Sequence, residues 1–502
     1  MSMAFKRSVR VDKIMANRRA FKSDVSFLEK ISLGAVGTQR VFEHLRNQGH
    51  NPLELERGSM SFKIWKKIKI KRIRVPDILC VSCGRRVESR AKTTFEISMS
   101  HSLSDPERGW DYGLNDSDFV ALVISKRVSD RPIDWRVDEL VQYISVRDLR
   151  SAQRNNLIVL VKPKGAEEGF EARISWPAAV AKSAGIIESV TNDRIQYRRE
   201  NDGRMITLSL SKQGLNLNPL VREGDAISEN QVLAAVIPVV KQFPCSRKTG
   251  QGYYITQLSS SSLSDRYTAV RALSTFPSEI VCEALIDKVN EGNEHIYVRL
   301  EAAAGLARHN KEQGWSFIKQ CLTDNYLQNR LEAVIALGEI PNDTSCRLLC
   351  SVLTDNQQHP EIRAGAAWAL GELDNNLALS VLIDSFSAVD EGIRIEAARA
   401  LAKLASRFTG EIVKEFPRAA PDKRPGIAWA LSKSGKFKLE DLLNALVDED
   451  TRHWVSYILG TQDQQRYIDQ IEKLKARDSE VYFAVTVLWK IMTSWVYNLE
   501  EY

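Results

Sequence analysis

The sequence predicts a multidomain α+β protein in three parts: a basic α/β module over residues 1–150, a small β-rich, barrel-like module over 151–257, and an array of paired helices over 258–502. Three observations carry that prediction. A motif recurs about every thirty residues through the C-terminal half, a group of short β-branched runs precedes it, and the charge sets the first hundred residues apart. At 502 residues the chain exceeds a single domain, and 43% hydrophobic with 27% charged residues excludes disordered, collagen-like and coiled-coil chains. No apolar run is long enough to span a bilayer, so no membrane association is expected. The start, MSMAFKRSVRVDK, lacks the apolar stretch of a secretory signal. Seven irregularly spaced cysteines without such a signal are expected in a reducing, cytoplasmic setting.

The net charge of +6 is unevenly spread. Residues 1–100 hold 22 Lys and Arg against 9 Asp and Glu, whereas the remainder holds 48 against 55. A basic module on a mildly acidic body points to a polyanion-binding end, with nucleic acid, DNA first, as the expected partner. A solvated basic face without a ligand is the alternative.

Within the first module, SLGAVGTQRVFEHLRNQGH places Val41, Phe42 and Leu45 at helical spacing, with Gly49 as the stop. A strand NPLELERGS follows, then a long strand KKIKIKRIRVPDIL, a tight turn CVSCG and a third strand RRVESRAKTTFEISM. A helical or looped segment leads to DFVALVIS, an apolar strand able to pair beside the core. Pro76-Asp77 ends one strand and Glu88 lies on the next. This order of elements with these acids resembles the PD-(D/E)xK nuclease superfamily, which implies a restriction-endonuclease-like fold.

The resemblance implies a metal-dependent endonuclease and a set of roles. Phosphodiester hydrolysis of this kind uses a divalent cation, here Mg²⁺, held by hard oxygen ligands, and a cation that steadies the developing charge. Asp77 and Glu88 would be the catalytic metal ligands, and Glu43 on the preceding helix would supply an additional metal-binding carboxylate. Side chains alternate along a strand, so Glu88, Arg90 and Lys92 share a face. The family's Glu-x-Lys reads here as Glu88-Ser89-Arg90-Ala91-Lys92, so either the lysine is displaced to Lys92 or Arg90 has taken its catalytic role. Lys66, Lys67, Lys69, Lys71, Arg72 and Arg74 are the expected contacts to the nucleic-acid backbone.

Cys80-x-x-Cys83-Gly84 looks like half of a zinc knuckle, but a structural zinc needs four ligands. With no second Cys-x-x-Cys and only His101 nearby, plain hairpin cysteines are expected, and zinc is not. Cys346 and Cys350, one helical turn apart, read as core residues. No phosphate-binding glycine loop, Ser-His-Asp signature or dinucleotide fingerprint occurs.

In the middle part, NLIVLVK, EARISW, GIIESVTNDRIQYRR and MITLSLS are short β-branched runs punctuated by turns such as Asn201-Asp202-Gly203. PLVREGDAISENQVLAAVIP, with Gly224-Asp225 as its turn, resembles the barrel-sandwich hybrid motif of biotinyl-type carriers. The carrier Met-Lys pair is absent, so no covalent cofactor is implied, and an adaptor, a nucleic-acid contact or a structural spacer is expected.

From Arg266 onward the repeat reads RYTAVRAL, RLEAAAGL (Arg299), RLEAVIAL (Arg330), RAGAAWAL (Arg363), RIEAARAL (Arg394), RPGIAWAL (Arg424) and RHWVSYIL (Arg452), with a degenerate eighth copy, VYFAVTVL, at Val481. Small residues such as Ala302, Ala333, Ala366 and Ala397 let helices approach, and the leucines fill the seam. The pattern resembles HEAT repeats, which implies an α-solenoid scaffold holding a protein partner. The recurring arginine reads as structural, stacking on the previous turn or bonding a loop acid.

Two functional expectations result. The first is a metal-dependent nuclease-like head on a HEAT-type sensing body, an arrangement analogous to bacterial antiviral defence. The second is a non-catalytic scaffold binding nucleic acid or protein in a larger complex. A HEAT-type lyase that attaches bilins to phycobiliproteins fits the array but not the long N-terminal portion.

Overall fold

The structure is a computed structural model. It describes residues 24–56, 73–95, 97–102, 105–129, 134–157, 159–161, 171–175, 177–212, 214–246, 248–462 and 464–499. The chain divides into two compact units, with the boundary between Leu273 and Ser274. No helix among the described residues is long and apolar enough to cross a membrane.

The first unit opens with α1 (Asp24–Asn47), which stops where Gly49 takes φ 80°, a left-handed conformation that favours glycine. A five-stranded sheet follows in the order β1 (Pro52–Glu54), β2 (Ile78–Cys80), β3 (Arg86–Lys92), β5 (Phe119–Arg127), β6 (Trp135–Ser145). The pairings are antiparallel except β3 with β5, which run parallel with Glu88 opposite Val120 and Arg90 opposite Leu122. The expected run through Pro76 is a strand only from Ile78, since proline has no N–H to donate to a ladder. Residues 57–72 of the two expected strands lie outside the described residues. The expected third strand splits into β3 and β4 (Ile97–Ser100), and β4 pairs elsewhere, with β8 (Glu171–Ser175).

Both faces of this sheet are covered. α1 lays Val41 and Leu45 on Ile78, Val87, Ala121 and Val123. Gly37 sits so close to β3 that a Cβ there would lie 2.3 Å from that of Ala91. On the opposite face, Val120, Leu122 and Ile124 pack with Trp110, Leu114 and with Leu149 of α2 (Val146–Arg154). Strand alternation therefore assigns Val87 and Ala91 to the helix-covered side, and Glu88, Arg90 and Lys92 to the other.

Small sheets make up the middle part. β7 (Val159–Val161) joins β8 and β4, while β9 (Ala178–Val180) pairs with β17 (Val232–Ala235) and β15 (Asn218–Pro219). β10 (Gly185–Val190), β11 (Arg194–Arg199), β12 (Met205–Ser209) and β16 (Ala226–Ile227) form a fourth sheet, and β13 (Ser211–Lys212) pairs with β14 (Leu215–Asn216). Ile187, Ile195, Tyr197, Leu217 and Leu233 give this part a core of its own. Two helices close the unit, α3 (Gln251–Gln257) and α4 (Leu263–Leu273), the latter carrying the first motif copy. Buried Arg86 clamps α4 to the sheet: it pairs with both oxygens of Asp118, at 3.0 and 2.6 Å, and with Asp265 at 3.0 Å and Ser264 at 2.9 Å on the helix.

The second unit is a helical repeat array. Its motif helices are α6 (Ile296–Arg308), α8 (Leu327–Leu337), α10 (Pro360–Glu372), α12 (Glu391–Leu404), α14 (Arg424–Ser434), α16 (Glu449–Gly460) and α18 (Ser479–Leu499). Between them run α5 (Glu279–Asn290, before the first), α7 (Glu312–Leu322), α9 (Asp343–Thr354), α11 (Leu379–Asp384), α13 (Thr409–Glu415), α15 (Leu439–Leu443) and α17 (Ile471–Arg477). Successive motif helices pack side by side through fully buried Ala302, Ala333, Ala366 and Ala397.

Candidate functional site

The face of β3 away from α1 opens on a cavity of about 490 Å³ whose wall includes Glu56, Arg74, Glu88, Arg90, Trp110 and Tyr112. Glu88 and Arg90 reach it because they sit two residues apart on one strand. Their side chains form an ion pair, and Arg90 also donates to the Ser89 carbonyl at 3.0 Å. Asp77, 6% exposed, accepts the Ser89 N–H at 2.8 Å. Burial, then the adjacent Glu88 charge, hold the Asp77 carboxyl well above its ordinary range against the opposing pull of Arg90. Burial likewise raises Glu88.

Of the other expected residues, only Arg74 lines this cavity among those described. Lys92 is half-buried one strand period further along the same face and is not in the cavity wall. Glu43 is exposed on α1, bonded by Gln39 at 3.3 Å and close to Arg40 at 3.9 Å. It is not brought to Glu88, because α1 covers the opposite face of the sheet. Arg74 lines the cavity and donates to the Gly109 carbonyl at 3.3 Å. Lys66, Lys67, Lys69, Lys71 and Arg72 lie outside the described residues. His101 accepts the Trp110 N–H at 3.2 Å, a satisfied polar residue. Glu56, Trp110 and Tyr112 were not foreseen, since nothing in their local pattern marks them.

A hard cation such as Mg²⁺ calls for ionised oxygen ligands and retained waters. Here the Glu88 carboxylate is already paired with the Arg90 guanidinium and the Asp77 carboxyl is taken by the Ser89 N–H. As arranged, this donor set does not fit the ion.

A second cluster sits at the β2–β3 turn. His50, Cys80, Cys83 and Cys245 place one ligand atom each within 4.8 Å of one another. The Cys83 thiol is pushed down chiefly by the hydrogen bond from Cys80, while that of Cys80 is pushed up. Cys-x-x-Cys was legible in the sequence; His50 and Cys245 carried no local signal.

In the array, the recurring arginine bonds main-chain carbonyls at the end of the preceding helix or loop. Arg299 Nε reaches Val289 O at 2.8 Å, Arg363 Nε reaches Leu353 O at 2.8 Å, and Arg394 reaches Ala388 O at 2.7 Å. In four successive copies the residue five places after it reaches the surface: Trp368 and Trp429 are half-buried, Arg399 is exposed and Tyr457 is half-buried, on helices α10, α14, α12 and α16, whereas Ala304 and Ile335 hold that position, buried, in the two copies before.

Residues 316–402 match the family model for HEAT repeats. Those residues carry HEAT repeats, and the helix pairs on either side continue the same sequence motif. That match does not extend to the first unit. Among curated proteins, none matches this chain. Solved structures similar to it include the complex of CpcE and CpcF of phycocyanin lyase from Nostoc sp. PCC7120, at 19% identity over 50% of this chain and 100% of that one, TM-score 0.27. Computationally designed armadillo repeat proteins for modular peptide recognition match at 19% identity over 43% of this chain and 100% of theirs, TM-score 0.22. Human deoxyhypusine hydroxylase in complex with glycerol matches at 16% identity over 42% of this chain and 83% of that one, TM-score 0.19.

Proposed function

We propose that the protein is a non-catalytic scaffold, in which the HEAT-type array holds a protein partner and the basic N-terminal part grips nucleic acid. The observation that carries the reading is the row Trp368, Arg399, Trp429 and Tyr457. It repeats at one motif position on helices packed side by side and offers aromatic and guanidinium surface to solvent. Aromatic residues and arginine are the side chains that most often anchor protein interfaces. The nucleic-acid half rests on the excess of 22 basic over 9 acidic residues in the first hundred. Pairing of Glu88 with Arg90 supports binding without hydrolysis.

Affinity capture from the source cell, compared by quantitative mass spectrometry between the native chain and Trp368→Ala/Trp429→Ala, tests the array. A set of proteins lost with the variant, at unchanged helical content, is expected; identical capture by both would remove the row as the docking surface.

A metal-dependent nuclease is the second reading, favoured by the meeting of Glu88, Arg90 and Arg74 in one cavity beside Asp77. It requires Arg90 to release Glu88 when a substrate phosphate and Mg²⁺ arrive.

A further inference from the structure

We propose that His50, Cys80, Cys83 and Cys245 form a structural zinc site that ties the segment after the small sheets to the β2–β3 turn. Zinc at about 2.3 Å from sulfur and about 2.0–2.1 Å from a ring nitrogen, in tetrahedral geometry, sets ligand–ligand edges of about 3.8 Å for S···S and about 3.6 Å for S···N. The chain shows Cys80 Sγ 3.8 Å from Cys245 Sγ and Cys83 Sγ 3.6 Å from His50 Nδ1. The sulfur pair is far beyond a disulfide's length of about 2.05 Å.

Two independent features prepare these side chains as ligands. His50 is buried and its Nε2 lies 2.5 Å from the Phe243 carbonyl oxygen. Only an N–H can bond a carbonyl, so Nε2 carries the proton and the Nδ1 lone pair is left toward Cys83, the usual outer-shell arrangement of a metal-binding imidazole. The ring is held by stacking on Phe243, centroids 5.3 Å apart, which in turn stacks on Tyr143 at 4.4 Å. In addition, the knuckle backbone closes on itself: the Cys83 N–H bonds the Cys80 carbonyl at 3.3 Å and the Cys80 N–H bonds the Arg85 carbonyl at 2.8 Å. Gly84, at φ 72°, makes the turn that aims the two sulfurs, its N–H bonding the Cys80 carbonyl at 2.8 Å.

Three thiolates and an imidazole select a soft-to-borderline ion of tetrahedral preference, which is zinc. With all four positions filled by protein, no place remains for water or substrate, so the site is structural. Its reach is long: Cys80 and Cys245 are 165 residues apart in sequence, and Cys83 and His50 are 33. The chain on either side of Cys245 is already bonded to this corner. Arg85 donates to Pro244 O at 3.2 Å, and Thr249 donates to Val81 O at 2.9 Å.

Elemental analysis of the full chain, expressed with added zinc and purified without chelator, tests this directly. About one zinc per chain is expected. After exchange, Co²⁺ should give the intense visible bands of a tetrahedral site and a near-ultraviolet sulfur-to-cobalt charge-transfer band. Cys245→Ser and His50→Ala should each lower zinc retention, whereas Cys350→Ser in the array should not. If those variants fail to fold, the native chain's zinc content and cobalt spectrum decide alone. A folded native chain that holds almost no zinc and shows no change in melting temperature on zinc addition would overturn the site. So would an octahedral cobalt spectrum, or a Cys80–Cys245 disulfide in freshly purified protein.

Discussion

Replacing Arg86 by Met should unfold the first unit more readily than any other single change in its sheet. The Arg86 guanidinium is almost wholly buried and bonds both oxygens of Asp118, which is 1% exposed. It also bonds Asp265, Ser264 and, at 3.4 Å, Thr268 on α4. Methionine keeps most of the volume but leaves Asp118 buried with only the Asn115 N–H, at 2.6 Å, as support. Removing one partner of such a pair costs about 3–5 kcal/mol, because the remaining charge is uncompensated. For a unit of this size that lowers the melting temperature by about 6–20 °C. The pH dependence follows from Asp118. Burial already raises its folded pKa against the pull of Arg86, and the variant raises it further. A carboxyl whose folded pKa exceeds the unfolded value of about 3.9 loses stability as pH rises from that value through the folded pKa. The deficit of Arg86→Met should therefore be largest at neutral pH, shrink as pH falls through the folded pKa, and be smallest below about pH 4. Adding Asp118→Asn removes the stranded charge and should recover about 2 kcal/mol at neutral pH. Urea titrations of the three chains, followed by the fluorescence of Trp110 and its neighbours, measure these terms. A loss under about 1 kcal/mol for Arg86→Met, or no recovery in the double variant, would refute the role assigned to this pair.

Asp77→Asn should stabilise the first unit at neutral pH while keeping an oxygen to accept the Ser89 N–H; since the native carboxyl is raised, the native chain loses stability as pH rises from about 4, and thermal melts should converge toward acid. Arg363→Met strands the Leu353 carbonyl at the end of α9, and chemical denaturation of the array should show a loss of about 1–2 kcal/mol, reduced from a fully buried bond because the side chain is half-buried. Gly371→Val drives a Cβ to within 2.8 Å of Ala400 Cα across the α10–α12 seam, and should cost about 1–3 kcal/mol by the same assay.

The array was legible because its signal is local and repeated: small residues at one helical position, leucines at another, eight times over. Even there the arginine's partner is only partly legible. The loop acid that the sequence suggests is the partner of Arg424, through Asp448 and Asp450, and of Arg452, through Asp478, whereas main-chain carbonyls take that place at Arg299 and Arg363, because helix ends leave carbonyls unbonded whatever their side chains. In the first unit, strand alternation put Glu88 and Arg90 on one face correctly, since period two needs no tertiary information. Glu43 required knowing which face α1 covers, and that is settled by Gly37 against Ala91, a contact between remote segments. The same remoteness hid His50 and Cys245: a Cys-x-x-Cys is visible at a glance, while ligands 33 and 165 residues away in sequence come near only through folding.

The scaffold reading is tested most directly by offering the purified full chain supercoiled plasmid and linear duplex with Mg²⁺ or Mn²⁺, beside Asp77→Ala/Glu88→Ala and an EDTA control. Intact DNA in every lane, and a gel shift that survives in the double variant and weakens with salt, are expected. Metal-dependent cutting by the native chain that disappears in the variant would contradict the scaffold reading and restore the nuclease one.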